Sequence, residues 1–274
     1  MGDRSTYPSD GGFTARQHSG WLWAGAIAAY LFLYVPLAVL VLFSFNDSRL
    51  SAGWVGFTWQ WYRTLAGDDE MLIAARNSLL IALSASAVAT VLGTLAGLAI
   101  QHHRVRLMLP LVLTPVAMPE ILLGISLLIF FISVFGEQSL GLLTVVIAHI
   151  TFCIGFVAIV VRVRLQGLDD SIFEAARDLG GTPWQTFRLI TLPLILPGVV
   201  AGFLMSFTLS IDDFVITFFT AGAGVKTLPL TIYSMIKIAV TPEVNAVSTL
   251  MMVVTLAMIA LASRLAPGVL KGMA

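Results

Sequence analysis

The chain has 274 residues, 58% hydrophobic and only 11% charged, and its mean hydropathy of +0.94 is far above what a soluble domain needs. Lysine plus arginine equals aspartate plus glutamate at 15 each, so no overall basic field argues for nucleic acid, and no nucleic-acid motif is present. The single cysteine, Cys153, excludes an intramolecular disulfide or a cysteine zinc cluster and reads as a buried thiol in an apolar run.

The first 19 residues are polar, carry Arg4 and Arg16 and lack an apolar centre, so they read as a tail and not a cleavable signal. Six apolar runs follow, at about 22–45, 75–100, 107–134, 140–162, 195–219 and 245–264. Each reaches or exceeds the roughly 20 residues that cross the hydrocarbon of a bilayer. The expected fold is therefore an all-α membrane protein of six transmembrane helices, with no internal repeat. Pro36, Pro110, Pro115, Pro119 and Pro197 lie in or at the ends of these runs, which predicts kinks in the third helix. Gly93 and Gly97 form a GxxxG on the second helix, a candidate close-packing face.

Orientation follows from the basic residues. With the amino terminus inside, cytoplasmic segments hold Arg4, Arg16, Arg104, Arg106, Arg162, Arg164, Arg177, Arg188, Arg264 and Lys271, against Arg49, Arg63, Arg76, Lys226 and Lys237 outside. That distribution satisfies the positive-inside rule and puts both termini in the cytoplasm. The outer stretch from Asp47 to Met71 carries Asp68, Asp69 and Glu70 with Trp54, Trp59, Trp61 and Tyr62, aromatics that suit an interfacial belt better than a ligand box.

Ionisable groups inside a membrane are costly and mark candidate functional sites. Three stand out: Glu120 in the third run, and Asp212 and Asp213 in the fifth. Measured along ideal helices, Glu120 lies about 21 Å from Arg106, and Asp212 about 29 Å from Pro193, so both fall beyond the midplane toward the outside. Adjacent helical residues diverge by about 100°, so Asp212 and Asp213 cannot both face one cavity squarely. These carboxylates either line a cavity and give it a negative potential suited to a polyvalent cation, or bond to backbone freed by Pro115 and Pro119 or to a partner subunit. His149, in the fourth run, reads as a hydrogen-bonded packing residue, and His102 and His103 as interfacial.

Between the fourth and fifth runs lies EAARDLGGTPWQTFRLITLPLILPG, Glu174 to Gly198, polar and basic between two long apolar stretches. Ser171 with Glu174 and Thr182 with Gln185 have the spacing of capping boxes, so two short helices are expected. The first, about 172–179, ends at Gly180-Gly181. The second starts with Pro183 at its first position. Ile172, Phe173, Ala176 and Leu179 fall at helical spacing, with Ala175 and Ala176 keeping the surface shallow.

Glu174-Ala175-Ala176, Gly180 after three intervening residues, then Ile190, Leu192 and Pro193, resemble the EAA loop of permease subunits of bacterial ATP-binding-cassette importers. MPEILLGISLL (118–128), SFTLSIDDFVI (206–216) and TPEVNA (241–246) resemble the permeases of the spermidine/putrescine type, and the likeness extends from about Tyr30 to Ser263. The resemblance implies a type I importer permease fold with an inner-membrane location. It divides the chain into a cytoplasmic tail (1–19), a first transmembrane helix with an outer loop (20–70), and a permease core (71–268) holding the coupling loop (171–193). It implies that Glu174, Ala175, Ala176, Gly180, Ile190, Leu192 and Pro193 couple to an ATPase, and that Glu120, Asp212 and Asp213 line the substrate path. The implied partners are a cytoplasmic ATPase dimer, a second, homologous permease subunit, a periplasmic substrate-binding protein and membrane lipid, with no nucleic acid. Polyamine permeases carry acidic residues at the matching positions, Glu120 standing where several relatives have aspartate. A polyamine, another small organic cation or an opine-like amine would suit such a path.

No catalytic residue, cofactor or metal is expected in this chain; ATP and magnesium would be bound by the partner ATPase. GAGVKT, which contains Gly224, Lys226 and Thr227, lacks the GxxxxGK[ST] spacing and follows no strand. A proton-coupled secondary transporter would need inverted repeats. An intramembrane serine protease would rest on the short pattern Gly124-Ile125-Ser126 with His149 alone, and no HExxH motif offers a metal site.

Overall fold

The structure, a computed structural model, describes residues 19–48, 53–102, 108–239 and 241–265. The polar tail, His103 to Arg106 and Lys271 lie outside the described residues. The described chain is helical apart from short connections: α1 (Ser19–Phe43), α2 (Gln60–Ala66), α3 (Asp69–His102), α4 (Met108–Ala117), α5 (Glu120–Phe135), α6 (Leu142–Gln166), α7 (Asp170–Asp178), α8 (Pro183–Thr186), α9 (Leu192–Ile211), α10 (Val215–Thr220), α11 (Leu228–Ile238) and α12 (Pro242–Leu265). Five of these spans are long and apolar enough to cross a membrane, and the bent pair α4 and α5 makes a sixth if it is one span.

The centre of the bundle is α3 against α6, with α9 packed on both. Small residues set the spacing. A Cβ on Gly93 would stand 2.6 Å from the Val157 Cβ, and one on Gly97 would stand 3.0 Å from the Ala158 carbonyl oxygen. Gly155 likewise admits Val112 and Val116 of α4, and Gly202 admits Val157. The expected GxxxG face is thus a real helix contact. Close backbone approach is what holds membrane helices together, because lipid removes the hydrophobic advantage of burying larger side chains. Val157, Val161, Leu165 and Ile195 fill one layer of this centre; Ala89, Leu123, Phe131, Ala148, Phe152, Cys153 and Ile216 fill the next. Cys153 is buried as expected. By contrast α1 is exposed along almost its whole length, and its main helix partner among the described residues is α12.

Two of the expected spans are interrupted. The third run is not one kinked helix: α4 and α5 meet at 108° across Met118 and Pro119, where Pro119 is extended at φ −57°, ψ 133°. A proline forces its predecessor out of the helical region and offers no amide to the preceding turn, so the chain restarts. Glu120 therefore opens a new helix, and its height cannot be counted from Arg106. The fifth run, expected to reach residue 219, ends at Ile211; residues 212–214 break the helix before α10 begins.

The elbow also departs from expectation in two respects. The first short helix is capped by Asp169, whose carboxylate accepts the Ser171 amide at 2.9 Å; Ser171 sits inside the first turn and does not cap it. An ionised carboxylate makes a charge-assisted bond to a helix-start amide, and Asp169 takes the cap position. The second short helix is not separate from the fifth span. After α8 a π turn over Phe187–Thr191 leads directly into α9, giving one rod from Pro183 to Ile211. The wide turn lies just ahead of Pro193, whose ring would otherwise press on the carbonyl four residues back.

Candidate functional site

At the elbow, α7 ends in a paired-bond cap. The Gly181 amide donates to the Ala176 carbonyl and the Gly180 amide to that of Arg177, with Gly180 at φ +78°, the left-handed residue of a Schellman motif. Thr182 and Gln185 form the expected capping box, Thr182 accepting the Gln185 amide and Gln185 the Thr182 amide. The elbow lies at the bundle end that holds Arg164, which reaches the Leu194 carbonyl at 3.2 Å. Phe173 and Ala176 turn inward, and a cavity of about 490 Å³ lies between the elbow and Leu98-Ala99 of α3. Glu174, Ala175 and Gly180 face outward, joined by two large apolar side chains, Leu179 at 89% and Trp184 at 67% exposure. Of the later residues, Ile190 and Leu192 are half-buried and Pro193 is exposed.

The carboxylates gather where the two interrupted spans meet. Gly124, one turn beyond Glu120, lets α10 come close enough that a Cβ there would be 2.8 Å from the Phe219 ring. That contact sets the start of α5 beside the α9–α10 break. Glu120 and Asp212 are both exposed, and each lies one turn ahead of the contact between Gly124 and Ile216. Asp213 points the other way. Its carboxylate accepts the Ile216 amide at 3.3 Å and the Thr217 amide and hydroxyl at 2.9 and 3.0 Å, so it caps α10. His149 of α6 stands 3.3 Å from the same oxygen and is held by Ser210 at 2.6 Å and Thr217 at 2.9 Å. Neighbouring Phe214 packs on Tyr233 of α11, ring centres 4.6 Å apart.

Residues 71–271 match the family described as "Binding-protein-dependent transport system inner membrane component". The chain belongs to that family. It is a multi-pass component of the inner membrane, and both the elbow and the acidic break lie within the matched residues. Among its relatives it is 40% identical over 242 residues to the putrescine transport system permease protein PotI of Escherichia coli (strain K12), covering 85% of this chain and 86% of that one. It is 41% identical over 248 residues to the spermidine/putrescine transport system permease protein PotC of the same strain, covering 89% and 93%. In fold it is similar to a chain of a bacterial ABC transporter involved in the import of the acidic polysaccharide alginate, with TM-score 0.71, 17% identity, and coverage of 91% and 96%. A chain of the MetNI methionine ABC transporter matches with TM-score 0.59, 20% identity, and coverage of 74% and 99%. The all-α fold is that of ABC-transporter permeases.

Within this permease the pair imagined for a protease is not assembled: Ser126 donates to the Leu122 carbonyl of its own helix, and both nitrogens of His149 are engaged with Ser210 and Thr217. No group of three or more His, Cys, Asp or Glu able to hold a metal occurs among the described residues. Lys226 pairs with Glu70 at 2.7 Å, tying the loop after α10 to the start of α3. There Asn46 bonds to Gly53 and Val55 and takes the Trp61 indole, while Phe45, Phe57, Trp59 and Tyr62 pack on one another. These aromatics hold one another in a folded cluster. Sequence reading missed Gly124, Ser210 and Thr217. Gly124 is the recoverable one, since a glycine one turn from an intramembrane acid signals close approach.

Proposed function

We propose that this chain is a permease subunit of an ATP-driven importer and forms part of the path by which polyamines such as putrescine and spermidine cross the inner membrane. The observation that carries this reading is the placement of two exposed carboxylates, Glu120 and Asp212, at two helix breaks that the Gly124 contact sets side by side. A polyamine is a string of ammonium groups separated by methylenes. Two carboxylates in low dielectric attract the former, and the neighbouring Phe214–Tyr233 surface suits the latter. The identity of 40 and 41% to permeases of putrescine and spermidine systems supports the same choice of cargo.

The remaining parts of the machine are separate chains. A cytoplasmic ATPase dimer binds ATP and magnesium and seats the elbow, with Glu174, Ala175, Gly180, Leu179 and Trp184 presented to it and Ala176 holding α7 against the bundle. Ile190, Leu192 and Pro193 carry the motion into α9. A second, homologous permease subunit covers the open side of the acidic break, and a periplasmic binding protein delivers cargo at the end bearing Asp68, Asp69 and Glu70. Both termini then lie in the cytoplasm, and residues 71–268 form the permease core.

The test is uptake of radiolabelled putrescine and spermidine by the complete transporter in proteoliposomes. Losing a charge-assisted contact costs about 1.5 kcal/mol or more, so Glu120→Gln and Asp212→Asn should each slow uptake roughly tenfold, and uptake should require ATP inside the compartment facing the elbow. Wild-type uptake in both variants would remove the carboxylates from the path. Uptake driven by a proton gradient without ATP would overturn the importer reading.

A further inference from the structure

The two aspartates of the break do different work. Asp213 is buried, and the groups around it come from three places: Ser210 in the last turn of α9, Thr217 in the first turn of α10, and His149 on α6. The imidazole is itself 2% exposed. It bridges the two helices across the gap, with Nδ1 on the α9 side and Nε2 on the α10 side. When Nε2 carries its proton, it donates toward Thr217 Oγ1 and Asp213 Oδ2, and neutral Nδ1 accepts from the Ser210 hydroxyl. Thr144 of α6 adds a further tie, its hydroxyl donating to the Thr220 carbonyl at the end of α10.

Nothing else in the break is so constrained. Asp212 is exposed, and its backbone follows whatever α9 and Asp213 impose. The direction of its carboxylate is therefore inherited from the buried cluster behind it. We infer that His149 is a positioning residue for transport: by clamping Ser210 and the Asp213–Thr217 cap from α6, it holds the α9–α10 break so that the Asp212 carboxylate stands beside Glu120. This rests on the reading of Glu120 and Asp212 as the substrate path. Two acids adjacent in sequence are thereby divided into one that meets the cargo and one that, with the imidazole, aims it.

The test is a double-mutant cycle in the complete transporter, read as initial rates of radiolabelled putrescine uptake at matched amounts of inserted protein. His149→Asn keeps an amide near the Nδ1 position and loses contact with Asp213; His149→Gln places an amide near Nε2 and keeps it. Coupling between contacting residues predicts a roughly tenfold slower rate for His149→Asn, with most of the loss recovered in His149→Gln. In an Asp212→Asn background, His149→Asn should add little further loss, because the carboxylate it aims is gone. A full and independent tenfold loss in that background would overturn the positioning role while leaving the path intact. Wild-type uptake by Asp212→Asn alone would overturn the path reading, and the proposal with it. If His149→Asn does not insert, the Gln variant decides: equal loss in both backgrounds refutes the proposal.

Discussion

The elbow and the acidic break are both interruptions of helix, but they are built in opposite ways. The helix caps at the elbow are all closed by residues within six positions: Asp169 by Ser171, Gly181 by Ala176, Thr182 by Gln185. Its outer surface is left uncommitted, with Leu179 and Trp184 bare. The break has a local cap at Asp213 but is also tied from a distance, by His149, which is 61 residues from Ser210 and 68 from Thr217. A locally closed element can be moved as a rigid piece by an outside partner. An element stitched across the bundle can instead hold a charge in one place while its surroundings shift.

The widest separation between the two regions should come from removing one acid in each. Asp213→Leu leaves the Ile216 and Thr217 amides and the His149 ring without their acceptor in a buried site, a loss worth about 3 kcal/mol or more. Thermal unfolding of the detergent-solubilised protein should fall by several degrees. Glu174→Ala removes an exposed side chain that caps nothing. Its unfolding midpoint should match wild type, while ATP hydrolysis by the complete transporter proceeds with little uptake. Equal destabilisation by the two substitutions would erase the distinction drawn here.

This contrast also explains what could be read in advance. The six apolar runs, the Schellman turn at Gly180, the Thr182 box and the close-packing glycines depend on neighbours in sequence or on composition, and they were legible. The interruptions were half legible. Pro119 announced a disturbance, yet whether a proline bends a span or ends it depends on what the freed groups meet in three dimensions. At Asp213 no proline marks the break at all. The helix stops there because a carboxylate finds better partners in the next helix and on α6 than in continuing, and that is a tertiary fact. The cap at Asp169 was missed for a smaller reason, since Asp169, Asp170 and Ser171 are consecutive and any of them can cap.

A middle-sized effect should come from Gly180. An alanine there must adopt φ near +78°, which costs an L-residue about 1 kcal/mol. That strain falls on the turn joining α7 to the rod and not on the bundle, so the unfolding midpoint of Gly180→Ala should move little. The coupling ratio, substrate carried per ATP hydrolysed, should drop measurably. A change in midpoint as large as that of Asp213→Leu would mean that the elbow is part of the core after all.

The smallest effect concerns acid. The Asp169 carboxyl is held below the usual carboxylate range because it accepts the Ser171 amide and, secondarily, the Ser171 hydroxyl. A depressed carboxylate contributes stability that is present above its unfolded value, about 3.9, and is lost as pH falls through the lower folded value. The start of α7 should therefore hold unchanged from neutral pH down to about pH 4 and fray below it. Hydrogen exchange of a peptide covering residues 169–181, corrected for intrinsic rates and referenced to α6, would register the change. Asp169→Asn keeps an oxygen acceptor at the cap without a titrating proton, so the step should vanish in that variant while protection at neutral pH is retained. If the acid-dependent step persists with asparagine in place, the group responsible lies elsewhere, and the elbow is less self-contained than its hydrogen bonds indicate.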